Sequence, residues 1–472
     1  MLEITPWLNR DKGKSLYAEL YRYIKGEIES GSMDAHARLP SIRLLAQHLT
    51  LSKNTVEAAY QQLVLEGYVE SRLRSGYYVL PVDDVGAIPT IRVPLKVHAP
   101  VEGAVIRFDF AYGDIEIDRF PMRLWGSCLA DTLYENPHEV LGYGNKQGDF
   151  QLRSEIAKYV FQSRGVVCHP DQIIISSGTQ QSIGLLCQLL QLRGKRIGIE
   201  NPGYHGVRSV FGNHGCMITP ISLEQDGLCI DELNTSEASE VKAVYVTPSH
   251  QFPMGMILPI QKRIQLLRWA EDNQALIIED DYDSEFRYSG QPIPALKALD
   301  TGDRVVYLGT FSKSFLPAAR LSYMILPAST MEQVHGRLQS YNQSVSAIIQ
   351  KAVYLFMERG YFSRHIRKMR RIYQSKHSAL IRAIIQLMGH RVDVIGHKSG
   401  LHILLDVKGR DSEQLIEQAR QQGIQLYSPK DQWLDPQTCP KSYVMLGFGG
   451  IHELSMEKAI QILSRAWFTD LE

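Results

Sequence analysis

The side chains with the clearest chemical potential follow short apolar segments in the later part of the chain. Four of these segments cover residues 173–176, 241–247, 275–278 and 304–308, and each is typical of a buried strand. Each segment leads into a turn that carries hydroxyl, carboxyl or basic groups. Because ligands bind beyond the carboxyl ends of the strands in a parallel α/β sheet, we expect these turns to meet at one cleft.

Two of the turns indicate what that cleft binds. The Ser-Gly-Thr turn at 177–179 stands between a strand and an apolar helix over 183–190, and such a turn points amides and hydroxyls at one anionic group. Three successive acids at 279–281 are costly to hold together unless a cation lies beside them. A metal is conceivable there, but no His or further carboxylate completes an evident ligand set, and we predict none.

The last turn adds a lone lysine, Lys313, and an arginine, Arg320. The cleft thus gathers a phosphate cradle, an Asp, a Tyr, a Lys and an Arg. A pyridine aldehyde phosphate needs that set, because a lysine forms the Schiff base and an Asp pairs with the protonated ring nitrogen. A Tyr hydroxyl meets the phenolic oxygen, and an Arg supplies paired donors to the phosphate. These residues therefore predict a site for pyridoxal 5'-phosphate.

The elements that position these turns fill only part of a chain of 472 residues, which is long enough for about three domains. Residues 81–106 hold four prolines and no clear period, as is typical of an extended connector. We therefore predict an N-terminal module over 1–80, a linker over 81–106 and a body over 107–472. Within the body we expect a large domain over about 107–335 and a small domain over about 336–472.

Composition excludes several classes of protein. With 44% hydrophobic and 22% charged residues, the chain is neither a disordered tail, nor collagen-like, nor a coiled coil. Basic and acidic residues balance at 51 each, so only local patches can indicate nucleic acid. The six cysteines stand apart without a CxxC pair, which indicates reduced thiols. The sequence shows no signal-like segment and no apolar run long enough for a bilayer, so we expect a cytoplasmic protein.

The N-terminal module has the pattern of a helix-turn-helix. A first helix that ends before Gly31 is predicted from its apolar spacing, Leu16, Leu20, Ile24 and Ile28. Ser41 is predicted to cap a second helix, whose buried side is formed by Leu44, Leu45 and Leu49. Ser52 is predicted to cap a third helix over 53–64. Two short helices joined by a tight turn are typical of helix-turn-helix proteins.

The third helix presents its first turn for contact with DNA. Lys53, Asn54 and Thr55 lie at its positive N-terminal end, where amides suit a phosphate and polar side chains can reach base edges. A basic turn over 72–76 between two short strands predicts a wing, with Arg72 and Arg74 at its tip. The alternative for such a pattern alone is a small helical bundle that binds nothing.

The run LPSIRLLAQHLTLSKNTVEAAYQQLVLEGYVESRLRSGYYVL resembles the winged helix-turn-helix of the GntR superfamily of bacterial transcription regulators, nearly position for position. The resemblance covers about the first eighty residues of the chain. It implies that the module binds double-stranded DNA. The positions that it implies at the DNA surface are Ser41, Arg43, Ser52, Lys53, Asn54, Thr55 and Gly76.

From about residue 107 onward the chain resembles fold type I, class I aminotransferases. The motifs that carry this resemblance are TFSKSFLPAAR, EDDYDSEF, SSGTQQ, ENPGY and YGNKQGDFQLR. They imply that Lys313 forms the Schiff base, that Asp280 faces the pyridine nitrogen and that Tyr282 faces the phenolic oxygen. Further contacts with the cofactor, mostly around its phosphate, are implied at Ser177, Gly178, Thr179, Thr310, Ser312 and Arg320.

The same resemblance implies three further contacts. Tyr204 is expected to stack on the ring, and His250 or Gln251, in PSHQFPMG, is expected near the phenolic oxygen. Tyr143 matches a tyrosine that contacts the phosphate of the partner subunit's cofactor, which implies a homodimer.

A GntR-like head on an aminotransferase-like body resembles the MocR-type regulators, and this resemblance spans essentially the whole chain. It implies a transcription regulator that depends on pyridoxal phosphate, binds paired DNA half-sites as a homodimer and senses an amine, an amino acid or a B6 vitamer. Two alternatives stay open. One is an active aminotransferase with an appended DNA-binding domain, and the other is a cofactor-storage protein with no role on DNA.

One position departs from the aminotransferase pattern. Class I aminotransferases, and the GABA-sensing MocR-type regulator, grip the substrate carboxylate with an Arg late in the small domain, where this chain has Gly450. The loss of a bidentate Arg removes the best clamp for a carboxylate. We therefore predict that this chain does not recognise GABA or ordinary α-amino acids in that manner, and that it is not an efficient enzyme. His205, Arg208 or His250 is left as a possible contact for another anionic group.

Overall fold

The computed structural model describes residues 4, 15–81, 105–135, 137–235, 240–288 and 293–468. The chain forms two compact units, Met1–Val101 and Glu102–Glu472, which we call the head and the body. Most of the predicted linker over 81–106 lies outside the described residues. The head contains a helix-turn-helix followed by a hairpin, and the body contains an α/β sheet, as the sequence predicts.

The head is a three-helix unit with a hairpin, α1 (Leu16–Glu29), α2 (Ile42–His48), α3 (Lys53–Leu65), β1 (Val69–Arg72) and β2 (Gly76–Val79). Both predicted caps form, because the side-chain oxygens of Ser41 and Ser52 accept the N–H groups of Leu44 and Thr55 at 3.2 and 3.1 Å. The apolar faces of α1 and α3 meet in one core, formed by Leu20, Ile24, Ile28, Val56, Tyr60 and Leu63.

One expectation for the head is wrong. Leu44 was expected on the buried side of α2, but it is 45% exposed, and the buried residues of that helix are Leu45 and Ala46. Successive helix positions differ by about 100° around the axis, so the face that packs on α3 includes Leu45 and leaves Leu44 outside. Leu44 thus lies on the same outer surface as Arg43.

The body is built on an eight-stranded sheet. Its strands lie in the order β4, β11, β10, β9, β8, β5, β6, β7, and the five from β10 to β6 run parallel. Two smaller sheets complete the body: the antiparallel trio β12-β13-β15 and the parallel pair β14-β3. The strands of the body are β3 (Phe108–Asp109), β4 (Ile173–Ser176), β5 (Arg196–Asn201), β6 (Met217–Glu224), β7 (Gly227–Leu228), β8 (Val241–Val246), β9 (Leu276–Asp281), β10 (Val305–Thr310), β11 (Ser322–Ile325), β12 (Val392–Ile395), β13 (His402–Val407), β14 (Ile424–Gln425) and β15 (Tyr443–Gly447).

Helices cover the faces of these sheets. They are α4 (Met122–Glu135), α5 (Pro137–Val140), α6 (Phe150–Arg164), α7 (Thr179–Leu189), α8 (His205–Asn213), α9 (Ile260–Asp272), α10 (Ala328–Leu338), α11 (Ala347–Glu358), α12 (Tyr361–Met388), α13 (Ser412–Gln421) and α14 (Met456–Phe468). The long helix α12 joins two cores: Phe362 and Ile366 pack with the large sheet, whereas Leu380 and Ile384 pack with the small one. It therefore ties the large part of the body to the small part.

Some strands and helices have other boundaries than predicted, and this changes which functional groups lie on an element and which lie in a turn. Strand β9 extends through the three acids to Asp281, and β10 extends to Thr310, so these residues lie on the strands and not beyond them. Helix α7 begins at Thr179, earlier than expected, directly after Gly178, whose φ of 122° favours glycine. The α7 N-terminus is thereby brought up to the sheet edge.

Among the described residues no helix combines the length and apolarity needed to cross a bilayer. All six cysteines are free thiols, as the sequence predicts.

Candidate cofactor site and nucleic-acid surface

The carboxyl ends of the body strands meet at one cavity of about 180 Å³. It contains most of the residues predicted to hold a cofactor, together with several that were not. The lining residues are Tyr112, Gly178, Thr179, Gln180, Tyr204, Tyr245, Thr247, Phe252, Asp280, Tyr282, Thr310, Ser312, Lys313 and Arg320. The expected convergence of separate strand ends on one cleft is thus present.

Asp280 lies at the bottom of this cavity on β9. One carboxylate oxygen accepts the Tyr245 hydroxyl at 2.5 Å, while the other is buried without a hydrogen-bond partner. Burial raises the pKa of Asp280 to about 7, and the Tyr245 hydrogen bond opposes that rise. A buried carboxylate oxygen with no partner fits a cationic N–H, such as the protonated ring nitrogen of a pyridine.

Lys313 faces the same space from the loop after β10. Its Nζ lies 4.1 Å from the centre of the Tyr112 ring, and a Cβ placed on Gly113 would approach it to 3.0 Å. Burial lowers the pKa of Lys313 to about 8, against the opposing charges of Asp283 and Asp114. A lysine held in this way has a larger neutral, nucleophilic fraction near neutral pH than an exposed lysine, and attachment to an aldehyde requires that neutral form.

The opposite end of the cavity is built to hold an anion. The N-terminus of α7 supplies backbone N–H groups, and the Arg320 guanidinium donates to the Ser177 carbonyl at 2.8 Å. A Cβ at Gly178 would meet the Arg320 Nη2 at 2.7 Å, so only glycine leaves room for this approach. The hydroxyls of Thr310 and Ser312 lie together at 3.1 Å on the same side. This donor set fits a phosphate.

A buried hydrogen-bond network positions Tyr282. Its hydroxyl lies 2.9 Å from the His250 carbonyl, to which it donates, and 3.0 Å from His250 Nδ1. The same nitrogen lies 3.0 Å from Asp283. His402 joins this group, with its Nε2 at 3.1 Å from the Pro253 carbonyl. His250, Asp283 and His402 also bring possible metal-ligand atoms within 4.8 Å of one another, a cluster that sequence spacing does not reveal.

Four predicted cofactor contacts do not line the cavity. Ser177 and His250 contact lining residues instead. The Ser177 carbonyl accepts from Arg320, and the His250 carbonyl accepts from the Tyr282 hydroxyl. The Gln251 side chain donates to the Pro202 and Phe252 carbonyls at 2.9 and 2.7 Å. Tyr143 is 98% exposed and borders a different cavity, so its role toward a partner subunit stays a prediction.

Five lining residues were not predicted. Tyr245 and Thr247 lie two positions apart at the end of β8, and the period of two in a strand was the signal that could have indicated both. Gln180 and Phe252 belong to turns already suspected. Tyr112 lies on a segment with no strand-turn-helix pattern, and its sequence carries no signal of this role.

The departure at Gly450 has a structural counterpart. A Cβ on Gly450 would stand 2.9 Å from the Asp114 Cβ, so the small residue makes room for an acidic one. Asp114 acts electrostatically on Lys313 and on Tyr427, whose hydroxyl donates to Asp109 at 2.9 Å. This side of the site therefore presents acidic side chains where the aminotransferase pattern has an arginine that binds the substrate carboxylate.

Of the three residues suggested for another anionic group, two have other roles. Arg208 donates to the carbonyl oxygens of residues 431–433 at 2.6 to 3.1 Å, and His250 holds Tyr282. His205 is exposed, next to Tyr204.

In the head most of the predicted DNA contacts are exposed to solvent. Ser41, Arg43, Ser52, Lys53 and Asn54 are exposed at the starts of α2 and α3. On the wing, Arg74 is exposed at the turn, whereas Arg72 pairs with Glu70 and lies 4.4 Å over the Tyr78 ring. Gly76 adopts φ 115°, and a Cβ there would stand 3.4 Å from the Arg38 side chain. The exposed Arg38 thus lies beside the wing, although it was not assigned as a DNA contact.

Comparisons with known proteins match each of the two units to a family. Residues 16–79 match the family described as bacterial regulatory proteins, gntR family, and residues 128–430 match aminotransferase class I and II. The probable rhizopine catabolism regulatory protein MocR of Rhizobium meliloti is 31% identical, over 98% of this chain and 95% of that protein. The chain belongs to the MocR-type GntR regulators. The HTH-type regulator YdeL of Bacillus subtilis is 40% identical over 99% of this MocR-type chain and 100% of its own.

Solved structures show the same relation for the body. Kynurenine aminotransferase of Pyrococcus horikoshii matches 77% of this regulator and 91% of its own chain, with a TM-score of 0.70 and 25% identity. The aminotransferase-like domain indicates pyridoxal 5'-phosphate as the cofactor of the regulator, which the partnerless Asp280 oxygen, Lys313 and the phosphate cradle fit. The predicted cofactor and the predicted function as a pyridoxal-phosphate-dependent transcription regulator are confirmed.

Proposed function

We propose that this MocR-type regulator is a homodimer whose affinity for paired DNA half-sites is set by the chemical state of a cofactor held at Lys313. The observation that carries the proposal is the convergence of Lys313, Asp280 and the phosphate cradle on one cavity, in a chain whose other unit presents a capped recognition helix. A regulator needs only a difference in affinity between two conformations, and it does not need turnover.

Each end of the cofactor has a proposed contact. Lys313 attaches it, Asp280 holds the ring nitrogen in its protonated form, and Tyr282 meets the phenolic oxygen. The phosphate lies against Arg320 and the start of α7, while the Tyr204 ring covers one face. When bound, the cofactor supplies an aldehyde carbon that exchanges amines and a ring that withdraws electrons. Because burial lowers the pKa of Lys313 to about 8, its amine would be able to attach to that carbon near neutral pH.

The effector is proposed to be an amine that the protein does not bind through a carboxylate group of the effector. Among the described residues around the cavity the only cationic side chains are Lys313 and Arg320, and Arg320 is directed to the phosphate end. Asp114 stands beside Gly450, where a carboxylate group would be repelled. The aromatic residues Tyr112, Phe252 and Tyr204 line the remaining wall, and aromatic faces attract cations.

The same features argue against efficient catalysis. Turnover requires the substrate amine to be held in one reactive pose, which binding at a second point normally provides. A site with no cation to bind the carboxylate lacks that second point for amino acids. The alternative, an active aminotransferase with a DNA-binding head, predicts rapid multiple-turnover production of keto acids from an amine donor.

Dimerisation would place two heads on one DNA. Tyr143, at 98% exposure, is free to reach a partner subunit's cofactor phosphate. Helix-turn-helix dimers bind half-sites whose spacing is fixed by the protein, so a change of shape in the body alters the fit of both heads.

The test is a footprint of the regulator on the DNA upstream of its own coding region. We expect different protection or affinity for the cofactor-free protein, the cofactor-loaded protein and the loaded protein with an effector amine. A panel of diamines, monoamines, amino acids and B6 vitamers identifies the effector class. Identical footprints and affinities under all of these conditions would contradict the proposal.

A further inference from the structure

The body carries a second cavity, larger than the cofactor site, beside the first half of α12. Its volume is about 690 Å³, against about 180 Å³ for the cofactor cavity. Six basic side chains line it, Arg119, Arg364, Arg367, Lys368, Arg371 and Lys376. Among the described residues that line the cavity the acids are Glu116 and Glu453, and the nearby Asp118 also acts electrostatically on Lys376. We call this feature the basic cavity.

The spacing on α12 places four of these charges on one helix face. Residues 364, 367, 368 and 371 are related as i, i+3, i+4 and i+7, so their side chains neighbour one another along about 10 Å of helix. All four are exposed, and so is Arg119 on the facing segment. Like charges at this spacing destabilise a helix, so the arrangement needs another reason to exist.

Neutralisation within the chain is not that reason. Among the described residues no acidic side chain lies within ion-pair distance of these five exposed basic groups. Lys368 donates to the Arg119 carbonyl at 3.0 Å, and Arg364 lies 5.5 Å over the Tyr361 ring, contacts that leave both charges uncompensated. Elsewhere on the body the contrast is clear, because Lys262 pairs with both Glu224 and Asp226.

The floor of the cavity is fixed in place. Lys376, 1% exposed in its side chain, pairs with Glu116 at 2.7 Å and donates to the Gly449 carbonyl at 2.7 Å. Glu453 accepts the Ser375 hydroxyl at 2.6 Å. Glu116 and Glu453 are thus held by Lys376 and Ser375, and the arginines at the opening of the cavity face solvent.

We propose that the basic cavity binds the phosphate backbone of duplex DNA, as a contact of the body in addition to those of the head. Arginine is suited to phosphate because its planar fork donates paired hydrogen bonds. Phosphates recur along each strand of the duplex, so a row of basic side chains about 10 Å long is long enough to contact more than one of them. The contact reads no sequence, since phosphates position a protein without specifying bases.

The experiment measures the salt dependence of DNA affinity for the full-length regulator and for Arg364→Ala/Arg367→Ala/Arg371→Ala. Each lost phosphate contact lowers the slope of log affinity against log salt by about 0.9, so we expect a reduction of about 2.7 per engaged chain. The loss is expected to be equal on upstream DNA and on a duplex of arbitrary sequence. The control variant removes three exposed arginines elsewhere, Arg193, Arg268 and Arg382, and should keep the wild-type slope.

Cofactor absorbance of each variant verifies that the body is folded. If the triple variant does not fold, the single variants Arg367→Ala and Arg371→Ala are each expected to lower the slope by about 0.9. A slope equal to that of the control variant overturns the proposal. It is also overturned if inorganic triphosphate binds wild type and not the triple variant while the DNA slopes stay equal, because the cavity then serves a free phosphate compound.

Discussion

The head and the body place their functional groups in opposite surroundings. In the head, Arg43, Lys53 and Asn54 stand exposed within a short stretch of sequence on two capped helices. In the body, Asp280 and Lys313 come from separate strand ends, and burial shifts the pKa of each toward neutrality. Exposed charges are screened by salt, whereas buried groups are tuned by desolvation. We therefore expect the exposed basic groups of the head to respond to ionic strength, and the cofactor cavity of the body to respond to pH and amines.

The largest effect that separates the two regions is expected from Lys313→Ala. Without the amine no covalent attachment is possible, so the visible absorbance of the lysine-bound cofactor should be lost completely. Absorption spectra after soaking with excess cofactor measure this. The affinity of cofactor-free Lys313→Ala for DNA should equal that of cofactor-free wild type, because the substitution does not change the head. A retained spectrum would mean that another lysine carries the cofactor.

The second effect concerns pH and the cofactor-free body. The pKa of the buried Asp280 carboxyl is raised to about 7, so the folded state holds its proton more tightly than the unfolded chain. Its contribution to the free energy of unfolding is therefore full near pH 4 and falls as the pH rises to 7, by up to about 4 kcal/mol. Asp280→Asn lacks this group, so its thermal midpoint should decline less between pH 5 and 8.

Added cofactor should sharpen that contrast. At pH 8 a cationic ring nitrogen pairs with the ionised Asp280, so the cofactor should raise the thermal midpoint more in wild type than in Asp280→Asn. Equal increments in the two proteins would show that this carboxylate does not face the ring nitrogen.

The third effect is confined to the head. Arg43→Ala and Lys53→Ala should each weaken DNA binding by about 1–3 kcal/mol, or roughly 5- to 150-fold, because they remove charged contacts at the starts of α2 and α3. Electrophoretic or anisotropy titrations measure this loss. The cofactor spectrum is the control and should not change. Loss of the spectrum together with DNA binding would mean that the two regions are not separate.

The smallest effect is expected from the helix cap. Ser52 accepts the Thr55 N–H at 3.1 Å and contacts the Thr55 hydroxyl at 2.8 Å, so Ser52→Ala should lower the stability of the head by about 1 kcal/mol. Hydrogen exchange of α3 amides reports this locally, while amides of the large sheet serve as the control. Unchanged exchange in α3 would show that the cap does not stabilise the helix.

The sequence predicted the parts of each site that are local in the chain. Ser41 and Ser52 could be assigned because a cap depends on the next three residues. Lys313, Asp280 and Arg320 could be assigned because the motifs around them resemble those of aminotransferases, and parallel topology predicted that turns from separate strands meet at one cleft. The residues missed are those brought in by tertiary packing, such as Tyr112 and the Tyr245 hydroxyl on Asp280.

The approach of Asp114 to Gly450 shows the same limit. The missing arginine was visible in the sequence, but the acid beside that position was not, because the two residues lie on segments far apart in the chain. The burial of Leu45 in place of Leu44 was likewise decided by how α2 packs on its neighbours.

The most direct test of the account compares wild type with Lys313→Ala on the same upstream DNA, each with and without pyridoxal 5'-phosphate. We predict that the cofactor changes the affinity or the footprint of wild type and leaves those of Lys313→Ala unchanged. An equal response of both proteins, or no response of wild type, would contradict the claim that the state of Lys313 controls DNA binding.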